Sequence, residues 1–254
     1  MNQTLTIAAA GAAALLAAAP AAAQDTTWSG FYVGANLGGA YGDTSLSTRV
    51  ESGSGAVVLP PAEVALINAP GLDDDNNGGF SGGVHGGYNW QSGTLLMGVE
   101  TDFGFFDLDQ DRTRTFTSPL LITPPIQSAL NQEMTTDWLW TARGRIGYAT
   151  PTWLLYATAG LAVGNVQLDT TYRDTRVPPT TAALNTDETK TGWAAGVGGE
   201  YMFMPNWALR AEWMYVDLGT VRASAATTSG PAAVFTSEAD ARGNLWRLGV
   251  DYKF

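Results

Sequence analysis

Cysteine is absent from the 254 residues. The chain therefore has neither a disulfide framework nor a thiolate metal site. Histidine occurs once, as His85, and no evident set of partner residues accompanies it for general acid/base or metal chemistry, which argues against a Ser/His hydrolase. Basic residues are scarce: 13 Lys and Arg stand against 24 acids, for a net charge of −11. A surface that binds nucleic acid needs the opposite balance, so that class is excluded. Charged residues of both signs make up only 15%, too few for the Glu- and Lys-rich faces of a helical soluble protein. Past the first two dozen residues, no apolar run approaches the roughly 20 residues of a spanning helix. A membrane role would fall to strands.

What remains is rich in Gly (30 residues) and aromatics (11%), with 45% apolar residues, well above the level of disordered chains. The opening MNQTLTIAAAGAAALLAAAPAAAQ has a short apolar core at 7–19 and small residues at Ala21, Ala22 and Ala23. This predicts a secretory signal over 1–23, cleaved after Ala23, although it carries no Lys or Arg. Residues 24–254 are then expected to form one domain.

Eight strand-like runs follow, near 28–42, 79–91, 94–106, 134–149, 152–167, 189–204, 206–218 and 242–254. Most alternate apolar with small or polar residues, as a strand with two unlike faces does. Phe31, Val33, Ala35 and Leu37 share one parity, and Tyr32, Gly34, Asn36 and Gly38 the other. Three connections are tight, at 91–93, 150–152 and 204–206, with Gly93, Pro151, Pro205 and Asn206 as turn residues. Four are long and rich in Thr, Ser, Pro and Asp, near 43–78, 107–133, 168–188 and 219–241. Long and short connections alternate, so all the long loops gather on one edge. That is the pattern of an all-β, eight-stranded antiparallel up-and-down transmembrane β-barrel with four long outer loops and three short periplasmic turns.

Charge indicates which parity faces inward. The polar parity carries Glu100, Asp102, Glu200, Glu212 and Asp251 against Arg143, Arg145, Arg210, Arg247 and Lys253. These five acids and five bases cancel, as charges confined to a sealed lumen must. A turn centred on Pro205 would set Glu200 opposite Arg210. Aromatics fall into two belts on the other parity, one near the short turns (Trp28, Trp90, Tyr148, Trp153, Trp207, Tyr252) and one near the long loops (Tyr41, Phe80, Phe103, Trp140, Trp213, Trp246). Two girdles around an aliphatic band suit the two interfaces of a bilayer. A soluble ligand-carrying barrel would need these rings inside, where a small barrel has no room for them.

Several stretches together resemble the alpha-proteobacterial outer-membrane immunogenic proteins, a porin-like family related to small OmpA-type barrels. They are WSGFYVGANLGGAYG (28–42), GFSGGVHGGYNWQ (79–91), GVETDFGF (98–105), TARGRIGYATPTWLLYATAGLAVG (141–164), AEWMYVDLG (211–219) and the terminal RLGVDYKF. The resemblance covers the strand regions and not the loops. It implies an exported outer-membrane protein in contact with lipid and lipopolysaccharide, delivered by periplasmic chaperones and the barrel-assembly machinery, and monomeric. The final strand, with Trp246, Leu248, Val250, Tyr252 and a terminal Phe254, looks like the signal that the machinery reads.

Motifs for chemistry are weak. The run DDDNNGG at 73–79 starts like a calcium loop through Asp73, Asp75, Asn77 and Gly78, but the closing Glu position falls on Val84. GANLGG has no following helix or Lys, so it is no phosphate loop. His85 is read as a lumen polar residue. No catalytic residue, metal or cofactor is expected. The expected role is structural, in the cell envelope, with the lumen plugged by its charges. The alternatives are an adhesin or receptor acting through the loops, or a small-solute porin.

Overall fold

A computed structural model describes residues 28–42, 46–52, 59–69, 78–106, 110–118 and 124–254. The expected signal at 1–23 and the carboxylates of the Asp-rich turn at 73–75 lie outside them.

The two-residue alternation becomes β1 (Gly30–Gly42), β2 (Leu46–Ser52), β3 (Gly78–Ser92), β4 (Leu95–Phe106), β5 (Gln110–Thr117), β6 (Gln127–Thr135), β7 (Trp138–Ala149), β8 (Trp153–Asp174), β9 (Thr181–Met204), β10 (Trp207–Ala226) and β11 (Ala233–Lys253). One short helix, α1 (Pro61–Ile67), lies between β2 and β3. Among the described residues no helix is long and apolar enough to cross a membrane.

Antiparallel pairings run β1–β3–β4–β7–β8–β9–β10–β11 and return to β1. The sheet thus closes on itself as a barrel, which removes the unpaired edges that an open sheet exposes. The three tight turns fall between β3 and β4, β7 and β8, and β9 and β10, where the sequence places them. Glu200 and Arg210 are register partners. They meet through a register shift beside Trp207, where Met204 pairs with Trp207 but Met202 with Ala208.

The long connections are not simple loops as expected. β8, β9, β10 and β11 run for 22, 24, 20 and 21 residues, about twice the roughly 9–11 that cross a bilayer. Their outer halves enter the stretches at 168–188 and 219–241. β2, β5 and β6 fill much of the other two, β2 pairing with β11 and β6 with β8. Beyond Asp217↔Trp193 the β9–β10 pairing stops at a bulge that includes Gly219, whose φ of 81° favours glycine. The two strands meet again at the Thr181↔Ser229 bridge.

Above that bulge the barrel becomes two facing sheets, β5–β6–β8–β9 and β10–β11–β2. Leu130, Leu168, Tyr172 and Leu184 from one share a core with Val50, Val221, Phe235 and Ala239 from the other. The rings of Tyr172 and Phe235 meet across it at 4.8 Å between centroids. Helix α1 spans the gap between edge strands β2 and β5. Leu59 and Ile67 are buried in the shared core. The Asn68 side chain accepts from the Val50 N–H at 2.7 Å and donates to its carbonyl at 3.2 Å, completing the β2 edge as a strand would. Arg114 of β5 donates to the Ala69 carbonyl at 2.7 Å.

Candidate functional site

The lower barrel, between the tight turns and the bulge, has its polar parity inside and its apolar parity outside. Arg143 is 3% exposed and Glu100 4%, whereas Leu248 is 70% and Val84 61% exposed. A continuous apolar surface of this kind is unfavourable in water and marks a contact with lipid or another apolar partner.

Nine of the ten sequence-predicted lumen residues meet in one buried network. Glu100 is its hub. Oε1 accepts from Arg143 Nη2 at 2.6 Å, and Oε2 from Arg210 Nη2 at 2.6 Å and the Tyr32 hydroxyl at 2.6 Å. Arg143 reaches on to Glu212 at 2.5 Å. Arg247 forks onto both Asp102 oxygens at 2.9 and 3.0 Å and also donates to Glu212 at 3.3 Å. Arg145 donates to Glu200 at 2.5 Å, and Arg210 to Glu200 at 3.0 Å and Asp251 at 3.1 Å. Each carboxylate has a cation or donor within hydrogen-bond reach, which is the condition for burying it.

Lys253 does not join. It sits half-buried at the turn end of the lumen, with no ion pair among the described residues. His85 lies beside Asp251 instead, its Nε2 2.6 Å from Asp251 Oδ1. Asn36 Nδ2 donates to His85 Nδ1 at 3.1 Å, so the ring proton belongs on Nε2, facing the carboxylate. Two further participants carried no motif. Tyr32 accepts from Arg145 at 2.7 Å, and the Tyr156 ring lies 4.0 Å beneath the Arg145 guanidinium. Their parity on β1 and β8 is the only signal in the sequence that places them here. Trp28, assigned to the lower aromatic belt, turns inward instead. It is 3% exposed and its Nε1 donates to the Thr150 carbonyl at 2.7 Å, which anchors the chain's entry beneath the barrel.

The inward parity changes character farther up. Above the charges come Ala40, Leu139, Ala162, Met214 and Leu245, all buried and continuous with the core of the outer sheets. The outward parity changes at the same level and in the opposite sense. On β8 it passes from Leu161 and Val163 to Asn165 and Gln167, on β9 from Trp193 to Thr191, on β10 from Tyr215 to Asp217, and on β11 from Trp246 to Asn244. Strand register joins these points, since Val163 pairs with Thr191, Trp193 with Asp217 and Tyr215 with Asn244. One plane therefore separates an inside-out barrel from a body packed like a water-soluble sandwich.

Among the described residues no cluster of His, Asp and Glu has the arrangement of a metal site. The trailing strand places Trp246, Leu248, Val250 and Tyr252 along the outward apolar parity of β11, next to β1, and Phe254 follows directly after it, exposed.

Comparison with known proteins agrees with this architecture. A family model described as "Outer membrane protein beta-barrel domain" matches residues 9–254. The chain is 32% identical over 246 residues to the 31 kDa outer-membrane immunogenic protein of Brucella melitensis, covering 92% of this chain and 87% of that one. It is 34% identical over 146 residues to a 22 kDa outer membrane protein of Rhizobium leguminosarum bv. viciae, covering 57% and 55% of the two chains. Among solved structures, the outer membrane protein OprG of Pseudomonas aeruginosa superposes with a TM-score of 0.50 at 14% identity, over 89% of this chain and 96% of that one. A barrel sheet with an apolar exterior, matched along nearly its whole length by the family model and the Brucella protein, is an outer-membrane protein: the chain belongs to the outer-membrane β-barrel family, alongside the outer-membrane immunogenic proteins of alpha-proteobacteria.

Proposed function

We propose that this protein is a structural element of the outer membrane. It spans the bilayer with eight strands, carries its periplasmic turns below and presents a folded body at the cell surface. Its lumen is closed to solutes, and it performs no chemistry. The observation that carries this reading is the filling of the inward face along its whole length. A layer of interlocked Arg and carboxylate side chains is followed by an apolar core, with Met214 and Leu139 0% and 2% exposed. Two layers of opposite character exclude the same permeants for different reasons. An ion passing the lower layer would then have to enter hydrocarbon-like packing, which costs several kcal/mol or more.

On this reading the partners are bilayer lipid around the apolar belt and lipopolysaccharide around the polar wall above it. Delivery is by periplasmic chaperones and the barrel-assembly machinery, which engages Trp246, Leu248, Val250, Tyr252 and Phe254 on the last strand. The chain acts as a monomer. The test is a planar-bilayer recording of the purified full chain. Wild type is expected to give no large, stable conductance, and steady channels of porin size would sink the reading.

A second reading is favoured by one observation, the folded outer body itself. A surface built from paired strands and a shared core is more defined than four loose loops, and it suits a receptor or adhesin role. Replacing the outer halves of β8–β11 by short turns separates the two. Loss of a specific surface contact with assembly intact favours recognition, and loss of envelope integrity without any such contact favours the structural role.

A further inference from the structure

The apolar wall of the lower barrel is not evenly filled. A groove of about 870 Å³ crosses six strands on its outside, lined by 37–38 on β1, 246–248 on β11, 211–213 on β10, 197–198 on β9, 155–157 on β8 and 146–148 on β7. These stretches form one line of strand register. Leu37 pairs with Leu248, and Leu248 with Ala211. One row higher, Trp246 pairs with Trp213, Trp213 with Val197 and Val197 with Ala157. The groove therefore follows the hydrogen bonds around the barrel, between two neighbouring rows of outward side chains. Its floor is low where Ala211, Val197 and Ala157 stand. Trp213 and Trp246, with ring centroids 6.2 Å apart, wall its upper side, and Leu248 and Leu155 its lower side.

Five strand spacings of about 4.8 Å make the groove about 24 Å long. Strands of such barrels are inclined by about 45° to the bilayer normal, so a line perpendicular to them descends about 17 Å. That is close to the depth of one leaflet, half of a hydrocarbon core roughly 30 Å thick. On β11 the groove begins at Trp246, directly beneath Asn244, where the outward face turns polar. On β8 it lies at 155–157, well below the same change at Asn165. One end thus opens just under the outer surface of the apolar belt, and the other runs down toward the tight turns. Only the upper end has a cation near it. Arg242 stands above Asn244 on the outward parity of β11, 3.2 Å from Asp217 and 4.0 Å from Asp240, with its side chain 43% exposed. The tight turns at 91–93, 150–152 and 204–206 carry no Lys or Arg.

We propose that this groove seats one acyl chain of lipopolysaccharide, which descends from the outer leaflet while a headgroup phosphate lies at Arg242. The inference rests on the membrane orientation proposed above. Lipid beside a flush wall touches protein on one side, whereas a chain lying in a groove touches it on three. Dispersion contacts are individually small and add up along the chain. The small floor residues let the chain approach the backbone closely, as small residues do between membrane helices.

The test is native mass spectrometry of the purified full chain in detergent micelles. The chain is titrated in parallel with lipid A, the anchor of lipopolysaccharide, and with phosphatidylethanolamine of matched acyl length. Wild type is expected to retain one lipid A, and to bind phosphatidylethanolamine about tenfold more weakly. Ala211→Phe and Ala157→Phe fill the floor and are expected to weaken lipid A retention about tenfold. Val84→Phe, on the outward face of β3 outside the groove, is expected to leave it unchanged. Arg242→Gln is expected to abolish the preference for lipid A. A heat-dependent gel shift confirms that each variant has assembled. Floor variants that retain lipid A as wild type does overturn the groove. Equal retention of the two lipids by wild type, or a preference that survives Arg242→Gln, overturns the assignment to lipopolysaccharide. No retained lipid on an assembled chain that gives no conductance overturns this inference alone and leaves the structural role standing, whereas steady channels of porin size strike that role whatever lipid is kept.

Discussion

Glu100 is buried and accepts from two guanidinium groups and a phenol at 2.6 Å each. Removing such a hub costs more than its own contacts are worth, because Arg143 and Arg210 are left buried with a partner missing. Glu100→Leu is expected to destabilise the barrel by about 3–5 kcal/mol, measured as a lower urea midpoint for tryptophan fluorescence in lipid vesicles. Lys253→Met, on the same strand face, is expected to move that midpoint by no more than about 0.5 kcal/mol, because Lys253 has no ion pair among the described residues. The contrast shows what could be read from sequence at this scale. Alternation assigns a residue to a face, and it places Glu100 and Lys253 alike on the inner one. It says nothing of depth along the axis, and Lys253, last of the inward residues on β11, lies beneath the network. Tyr32 and Tyr156 were obscured for a related reason. Their parity was plain, but an isolated Tyr on a polar face does not disclose which Arg it will meet 113 or 11 positions away, and only the register of the closed sheet does.

The strands of the lower barrel were legible almost to their ends, because each has an apolar outward set and six of the eight border a tight turn that carries Gly, Pro or Asn. Their outer halves were not. The alternation continues there, with Leu168, Tyr172, Leu184, Val221 and Phe235 inward, but the apolar parity has changed sides. The intervening Thr, Asp and Ser dilute it until the composition looks like loop. At Gly219 the bulge also shifts the register, so a pattern followed along β10 loses its phase. α1 had no helical repeat to betray it over 7 residues. The two halves of the long strands therefore rest on different forces, ionic and lipid-facing below, ordinary apolar packing above. Phe235→Ala should discriminate between them. Phe235 is 0% exposed and packs against the Tyr172 ring, so its loss leaves a cavity worth about 3–5 kcal/mol. Hydrogen exchange is expected to rise in 165–174, 181–191 and 221–241, while β1 and β3 keep their protection and the heat-dependent gel shift is unchanged. Equal loosening of β1 and β3 would mean that the barrel and the outer body form one cooperative unit.

For the molecule as a whole, the plane where both parities change character fixes how it sits in the envelope. Below it, Leu155, Leu161, Trp193 and Trp246 face outward and are about half exposed or more. Above it, Asn165, Gln167, Thr191 and Asn244 take the same outward positions. Hydrocarbon can cover the first set without cost, but covering the second would strip polar groups of their hydrogen-bonding partners. On the orientation proposed above, the outer membrane surface crosses β8 between Val163 and Asn165. Ten residues of β8 stand above it, roughly 30 Å of extended chain at about 3.4 Å per residue. The absence of cysteine makes this directly measurable, since a single introduced thiol is the only site that a nitroxide label can take. Spin labels at Leu155→Cys and Leu161→Cys are expected to be relaxed chiefly by oxygen, which concentrates in the bilayer. Labels at Gln167→Cys and Thr171→Cys are expected to be relaxed chiefly by a water-soluble nickel chelate, with the exchange of dominance falling within one turn of the pleat around residue 164. A crossover displaced by four residues or more, or labels at 161 and 167 that respond alike, would mean that the change of parity is a packing feature of the strands and does not mark the membrane surface.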